Sequence, residues 1–387
     1  MMKKCAEIIL NPDSSYSVEA RKWQGVPSME ITGKRIWAAW FTGGKYEPSI
    51  YNYGILAYSD NGGQIWVDPY MIIKYDLDAH FRVMDPQFWK APGGRLWVFW
   101  TQAVYADGAP DSDFDTDGTD LWNNFFCDLQ AWGMYTDNPE DDTPVWSEPR
   151  YLEQGIIRNK PVLLKDGTLI LPGYDIHSPG HYQYYASRDL CQTIELRNGP
   201  AKIGKQDFDE PMIVERQDGS LWYLARTITG RIAEAFSYDG GKTWTETRQS
   251  QIPNPCTRFY IGRLPNGMLL LVNTPSETIG DRKSLVASLS TDDGETWSHH
   301  LLLDDRRSTT YPDVAWDDAG NIYIIYDCQR DNRQEPLPED PTKSSAAKEI
   351  CLAKVTVEDI QNGKLVTPGS YLGKVISKVN YDTRSIG

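Results

Sequence analysis

Six stretches of this chain repeat one pattern, and nothing else in the sequence restricts the fold as much. They are WQGVPSMEITGKRIWAAW from Trp23, RVMDPQFWKAPGGRLWVFW from Arg82, RNKPVLLKDGTLILPGYD from Arg158, FDEPMIVERQDGSLWYLAR from Phe208, CTRFYIGRLPNGMLLLVN from Cys256 and TTYPDVAWDDAGNIYIIYD from Thr309. Each has a short apolar run, a glycine-bearing turn and a second run rich in β-branched and aromatic residues, which predicts a β-hairpin. The turns fall at Gly33, Gly93-Gly94, Asp166-Gly167, Asp218-Gly219, Asn266-Gly267 and Gly320-Asn321. A chain of 387 residues would suggest two or three domains by length alone, but a sixfold repeat takes precedence.

Five of the six copies carry proline at one equivalent point: Pro27, Pro86, Pro161, Pro211 and Pro312, with Phe259 in the fifth copy. Proline lacks a backbone donor and suits a strand start. It also predicts an extended residue before it. Those preceding residues are Val26, Asp85, Lys160, Glu210, Arg258 and Tyr311. Strands do not begin on ionisable residues in register unless these face something in common. In a β-propeller the innermost strand of each blade lines a central channel. The expected fold is therefore all-β: a six-bladed β-propeller of four-stranded antiparallel blades, one domain over residues 1–387, with these side chains around one mouth.

A second repeat is SYDGGKTW (237–244), STDDGETW (290–297) and the looser SDNGGQIW (59–66), where Asn61 replaces the Asp. SRDLCQTI (187–194) reads as a decayed copy. Ser and Asp side chains bond turn backbone, Gly supplies positive φ, and Trp packs beneath. The expected place is the turn between a blade's outer two strands, with a scaffold role and no chemistry.

Taken together, hairpins and boxes resemble the sialidase (neuraminidase) superfamily, whose hallmark is this Asp box on a six-bladed propeller. The likeness runs over roughly Trp23 to Asp331. In that superfamily a Tyr activated by a Glu is the nucleophile, an Asp is the acid/base and three Arg clamp the substrate carboxylate. The resemblance implies Glu210 as activating carboxylate and Arg226 as clamp in EPMIVERQDGSLWYLAR, Arg282 as clamp in RKSLVASLSTDDGETW, and Tyr311 as nucleophile in TTYPD. The first blade departs from the pattern. Gly25 stands where the first clamp Arg belongs, in Gln24-Gly25-Val26-Pro27. FTGGKYEP offers Glu47 as its only carboxylate, so Glu47 and Asp85 are both candidate acids. Arg258 is a candidate replacement for the missing Arg.

Arg82, Arg158, Lys160, Gln102 and His177 lie near hairpin ends and are candidate lining residues, while Trp40 and Trp100 are candidates for stacking on a sugar or for core packing. DFDTDGTD (113–120) has the opening spacing of a calcium loop but lacks its closing Glu, so a solvated acidic loop is expected and no metal. A net charge of -15 speaks against nucleic acid and anionic membrane as partners. Six scattered Cys without a CxxC motif, and an N-terminus whose apolar run is only Ile8, Ile9 and Leu10, give a cytoplasmic expectation.

The resulting expectation is an exo-acting, retaining glycoside hydrolase that removes a terminal acidic sugar, sialic acid or a relative, from a glycan or small oligosaccharide without a cofactor. The alternatives are a carbohydrate-binding propeller without turnover, and a glycosidase or lyase for another sugar such as a rhamnoside.

Overall fold

The computed structural model describes residues 3–44, 47–106, 126–175, 180–203, 208–329 and 347–380. The fold is all-β, a six-bladed β-propeller of four-stranded antiparallel sheets. Each of the six repeated stretches forms a hairpin that supplies the first two strands of one blade, as in Gln24–Thr32 with Arg35–Thr42 and Met212–Glu215 with Leu221–Ala225. The first blade departs from four strands. Glu7–Leu10 pairs antiparallel with Val67–Lys74 and makes its sheet five-stranded. Ile8 packs against the apolar cluster beneath, which explains the short hydrophobic run.

The chain divides into two compact units, Met1–Gln154 with Ile325–Leu352 and Lys374–Gly387, and Gly155–Ile324 with Ala353–Gly373. The first unit is built on Trp37, Leu56, Met71, Val83, Phe88 and Trp100. Trp40 and Trp100 are both 0% exposed, so they are core residues and present no face to a sugar. The second unit packs Ile170, Tyr182, Tyr184, Ile213, Leu221 and Tyr223.

The boxes sit between the third and fourth strands of their blades, as their composition demands. In the fourth blade Asp239 accepts from Ser237 Oγ at 2.9 Å, Lys242 N at 3.0 Å and Thr243 N at 2.9 Å, while Gly241 N donates to Ser237 Oγ at 2.8 Å. The decayed copy keeps the whole network. Asp189 accepts from Ser187 Oγ and Thr193 N, and Cys191 takes the glycine's role at φ 70°. A fifth box is split by an insertion and is not legible in the sequence. Asn138 accepts from Thr136 Oγ1 at 2.9 Å and from Val145 N at 3.1 Å, and Trp146 follows.

One glycine tests this reading. Gly294 has φ 92°, and an added Cβ would overlap the Trp222 ring. Gly294→Ala is expected to destabilise the protein by about 1–3 kcal/mol, combining positive-φ strain with overpacking, as measured by urea denaturation.

The expectation of an extended residue before each proline fails at four blades. Val26, Asp85, Glu210 and Tyr311 have φ of 56°, 52°, 39° and 55°. In the first two blades the ladder slips there, between Gly25 and Ser28 and between Met84 and Gln87. An extra residue bulges out, and proline sits where no ladder donor is needed. Proline excludes the right-handed helical region for its predecessor, and these bulges meet that demand with a left-handed residue. Such a conformation costs on the order of 1–3 kcal/mol per non-glycine residue and persists where surrounding contacts hold it.

Candidate active site

In the second unit, four strand beginnings bring ionisable side chains together around Glu210. Its position at a left-handed residue turns the side chain out of the normal alternation of the strand, and it is 0% exposed. Tyr311 Oη donates to Glu210 Oε1 at 2.8 Å. Arg226 Nη1 donates to Glu210 Oε2 at 2.9 Å and also to Tyr311 Oη at 3.1 Å. Arg158 Nη1 donates to Glu210 Oε1 at 3.1 Å. The carboxylate is thus held by two guanidiniums and one phenol.

Burial alone would push the Glu210 carboxyl up. The charges of Arg226 and Arg158, with the Arg226 hydrogen bond and the charge of Arg258, outweigh it and bring the group down to about 2. Glu210 is therefore ionised at any physiological pH. An uncompensated buried carboxylate would instead take up a proton, so the arginines are what keep this one charged.

Arg258, a clamp candidate in the sequence, is held by backbone carbonyls. Its Nη1 donates to the Arg158 carbonyl at 3.0 Å, and its Nη2 to the carbonyls of Tyr311 and Pro312 at 3.1 and 3.4 Å. It ties two strand beginnings together, with its guanidinium 5.1 Å from the centre of the Tyr311 ring. Arg282 is half-buried and reaches the Cys256 carbonyl at 2.9 Å, while Arg226 Nε reaches Cys256 Sγ at 3.3 Å. Both clamp candidates therefore meet at Cys256, whose φ of 64° marks another left-handed turn. Lys160 pairs with Asp313 at 3.4 Å, both largely buried.

Arg158 was read in the sequence only as a lining residue. Here it is an immediate partner of the central carboxylate. Its spacing from Lys160 at the start of the third hairpin was the one available signal, and it said nothing about reach.

The remaining described candidates belong to the first unit. Asp85 is 0% exposed at its left-handed bulge, and Glu47 is half-buried. Arg82 is 0% exposed and donates to Asn52 Oδ1 at 2.8 Å, an amide that also accepts from Ser49 N. Gln102 has a structural occupation: it accepts from Ala6 N at 2.8 Å and donates to the Lys4 carbonyl at 2.9 Å, fastening the N-terminal segment. His177 and the acidic loop 113–120 lie outside the described residues. Among the described residues, no group of His, Cys, Asp and Glu has the arrangement to hold a metal ion, and no helix is long and apolar enough to cross a membrane.

Known proteins agree with this architecture. A sialidase of Bacteroides fragilis (strain YCH46) is 29% identical over 213 residues, a match that covers 48% of this chain and only 38% of that protein. The leech intramolecular trans-sialidase, solved with 2,7-anhydro-Neu5Ac, superposes with a TM-score of 0.68 at 14% identity, over 93% of this chain and 71% of that one. The intramolecular trans-sialidase of Ruminococcus gnavus, solved with oseltamivir carboxylate, gives 0.66 at 15% identity, over 94% and 99%. At these identities the structural likeness is one of fold. The family profile for the BNR repeat-like domain matches residues 34–324, most of the chain. With its boxes and hairpins in the same span, the chain belongs to the BNR repeat-like domain family.

Proposed function

We propose that the chain is an exo-acting glycoside hydrolase of the sialidase type, removing a terminal acidic sugar with retention of configuration. The observation that carries this reading is the 2.8 Å hydrogen bond from Tyr311 Oη to Glu210 Oε1, with Arg226 donating to both partners. A phenol is a weak nucleophile at neutral pH and needs a base at hand. Tyr311 oxygen attacks the anomeric carbon, its proton passes to Glu210, and the leaving oxygen takes a proton from a general acid. Water then displaces the phenol from the glycosyl-enzyme. A neutral nucleophile suits a substrate whose own carboxylate sits at the anomeric carbon, where a second carboxylate would be repelled.

The low proton affinity of Glu210 fits this scheme once the substrate is considered. In the resting site Arg226 and Arg158 hold the carboxylate ionised. A substrate carboxylate that engages Arg226 shares its charge and weakens its hold on Glu210. Glu210 then becomes a stronger base just when Tyr311 must lose its proton. The arrangement thereby favours acidic sugars over neutral ones.

The test is a panel of aryl glycosides with the full chain: a 4-methylumbelliferyl sialoside, a glucuronide and a rhamnoside. Cleavage of the acidic glycosides with the first-formed sugar in the substrate's anomeric configuration by NMR supports the reading. Binding without cleavage points to a carbohydrate-binding propeller, and cleavage of the rhamnoside alone to a different glycosidase.

The sequence offers Asp85 and Glu47 as candidates for the general acid. An aryl leaving group needs little protonation, whereas a sugar leaving group needs a full proton. Loss of the acid is therefore expected to slow cleavage of a sialyl-lactoside by about 10²–10⁴-fold and of the aryl sialoside far less. Comparing Asp85→Asn with Glu47→Gln on both substrates identifies which one it is.

A further inference from the structure

Away from Glu210, the second unit contains a cleft of about 130 Å³ at the box end of the fourth and fifth blades. Three aromatic residues stand in its lining, beside polar ones. Trp222 and Phe236 stack at 6.0 Å with their planes 8° apart, and Trp297 of the fifth blade's box stands half-buried beside them. Trp244, at the same position in the fourth blade's box, packs on Tyr184 and Tyr223 instead. One box tryptophan thus packs on two tyrosines, while its counterpart lines a cleft.

The polar groups of the cleft are arranged in pairs. Glu234 accepts from Trp222 Nε1 and from Arg248 Nε, each at 3.0 Å. Arg216 donates to Glu295 at 2.8 Å and lies 3.4 Å from Asp293, which also pairs with Arg263. Two guanidiniums and three carboxylates line the cleft, and Arg263 outside the lining pairs with Asp293, so no net positive charge is available to attract an anion. This is the opposite of the Glu210 site, where Arg158 and Arg226 share one carboxylate.

We propose that this cleft is a second saccharide site, separate from the Tyr311 centre, which takes one neutral pyranose ring. Ring C–H groups carry partial positive charge and pack on the negative face of an indole ring, which the half-buried Trp297 offers here. Fixed Arg–carboxylate pairs offer donors and acceptors side by side, the requirement of neighbouring hydroxyls. The volume suits a single ring rather than a long oligosaccharide. An enzyme acting on glycan ends would gain a hold on the neutral part of the same or a neighbouring chain. The site does not depend on what the Tyr311 centre does.

Saturation-transfer NMR on the full chain tests this, with methyl β-D-galactopyranoside, methyl β-D-glucopyranoside and, as an anionic probe, methyl β-D-glucuronide. The neutral glycosides are expected to bind the wild type and Tyr311→Phe alike, with weaker response from the glucuronide. Trp297→Ala is expected to lower affinity by about fivefold, the loss of one aromatic contact. Trp297 also belongs to a turn that supports the fold, so Arg248→Ala provides an independent variant: its side chain is 71% exposed, and the same loss is expected without unfolding. The proposal is overturned if neither neutral glycoside binds, if both variants bind like the wild type, or if Tyr311→Phe removes the signal.

Discussion

Tyr311→Phe is expected to fold normally and to lose turnover of an aryl sialoside by at least about three orders of magnitude, the scale of losing an activated nucleophile. The substitution removes one oxygen and leaves the ring. That ring remains beside the Arg258 guanidinium, 5.1 Å from its centre, and remains buried. Two hydrogen bonds disappear, the one donated to Glu210 and the one accepted from Arg226. Glu210 keeps both of its guanidinium partners, so the stability cost is about 1 kcal/mol, within the usual range for a hydrogen bond. Steady-state kinetics and thermal denaturation of the same preparation separate the two effects. Full activity in the variant would exclude Tyr311 as nucleophile.

Glu210→Gln is expected to damage both stability and activity. The carboxylate is the shared counter-ion of two buried guanidiniums, Arg226 and Arg158, at 2.9 and 3.1 Å. An amide leaves their charges uncompensated, which costs about 3–5 kcal/mol when a buried pair loses one partner. Under the proposed mechanism turnover falls by about 10²–10⁴-fold, the scale of losing the base for Tyr311. The loss also has a pH signature. The Glu210 carboxyl is held at about 2 in the folded chain, below its ordinary value of 4.5. A lowered carboxyl stabilises the fold above the ordinary value, and that contribution is lost as pH falls from about 4.5 toward about 2. The wild type should therefore lose stability to acid in this window more steeply than Glu210→Gln. Urea denaturation at several pH values below 5 provides the comparison, and equal acid slopes in the two proteins would refute the linkage.

The legible part of this chain was its periodicity. Alternating apolar runs with glycine turns gave all six hairpins, because strand alternation and turn conformation are short-range properties. The boxes could be read for the same reason, since Ser, Asp and Gly bond within a single turn. The box at Thr136–Trp146 was missed when an insertion separated Asn138 from Val145, although the backbone still closes the same bonds. Tyr311, Glu210 and Arg226 were legible by resemblance, and the structure brings these three into contact. Arg158 and Arg258 illustrate the limit. Both are arginines near strand beginnings, yet one holds the central carboxylate and the other ties backbone carbonyls.

The amino-acid order by itself determined that this chain repeats a hairpin six times, that turns carry the boxes, and that polar residues precede four of the five prolines. Only the tertiary structure decided which of those polar residues meet. Tyr311 and Glu210 lie 101 residues apart in sequence, and each is held at a left-handed residue. The prolines suggested extended neighbours from local sterics. The fold holds four of those neighbours left-handed because long-range contacts, which no local rule contains, outweigh a strain of a few kcal/mol.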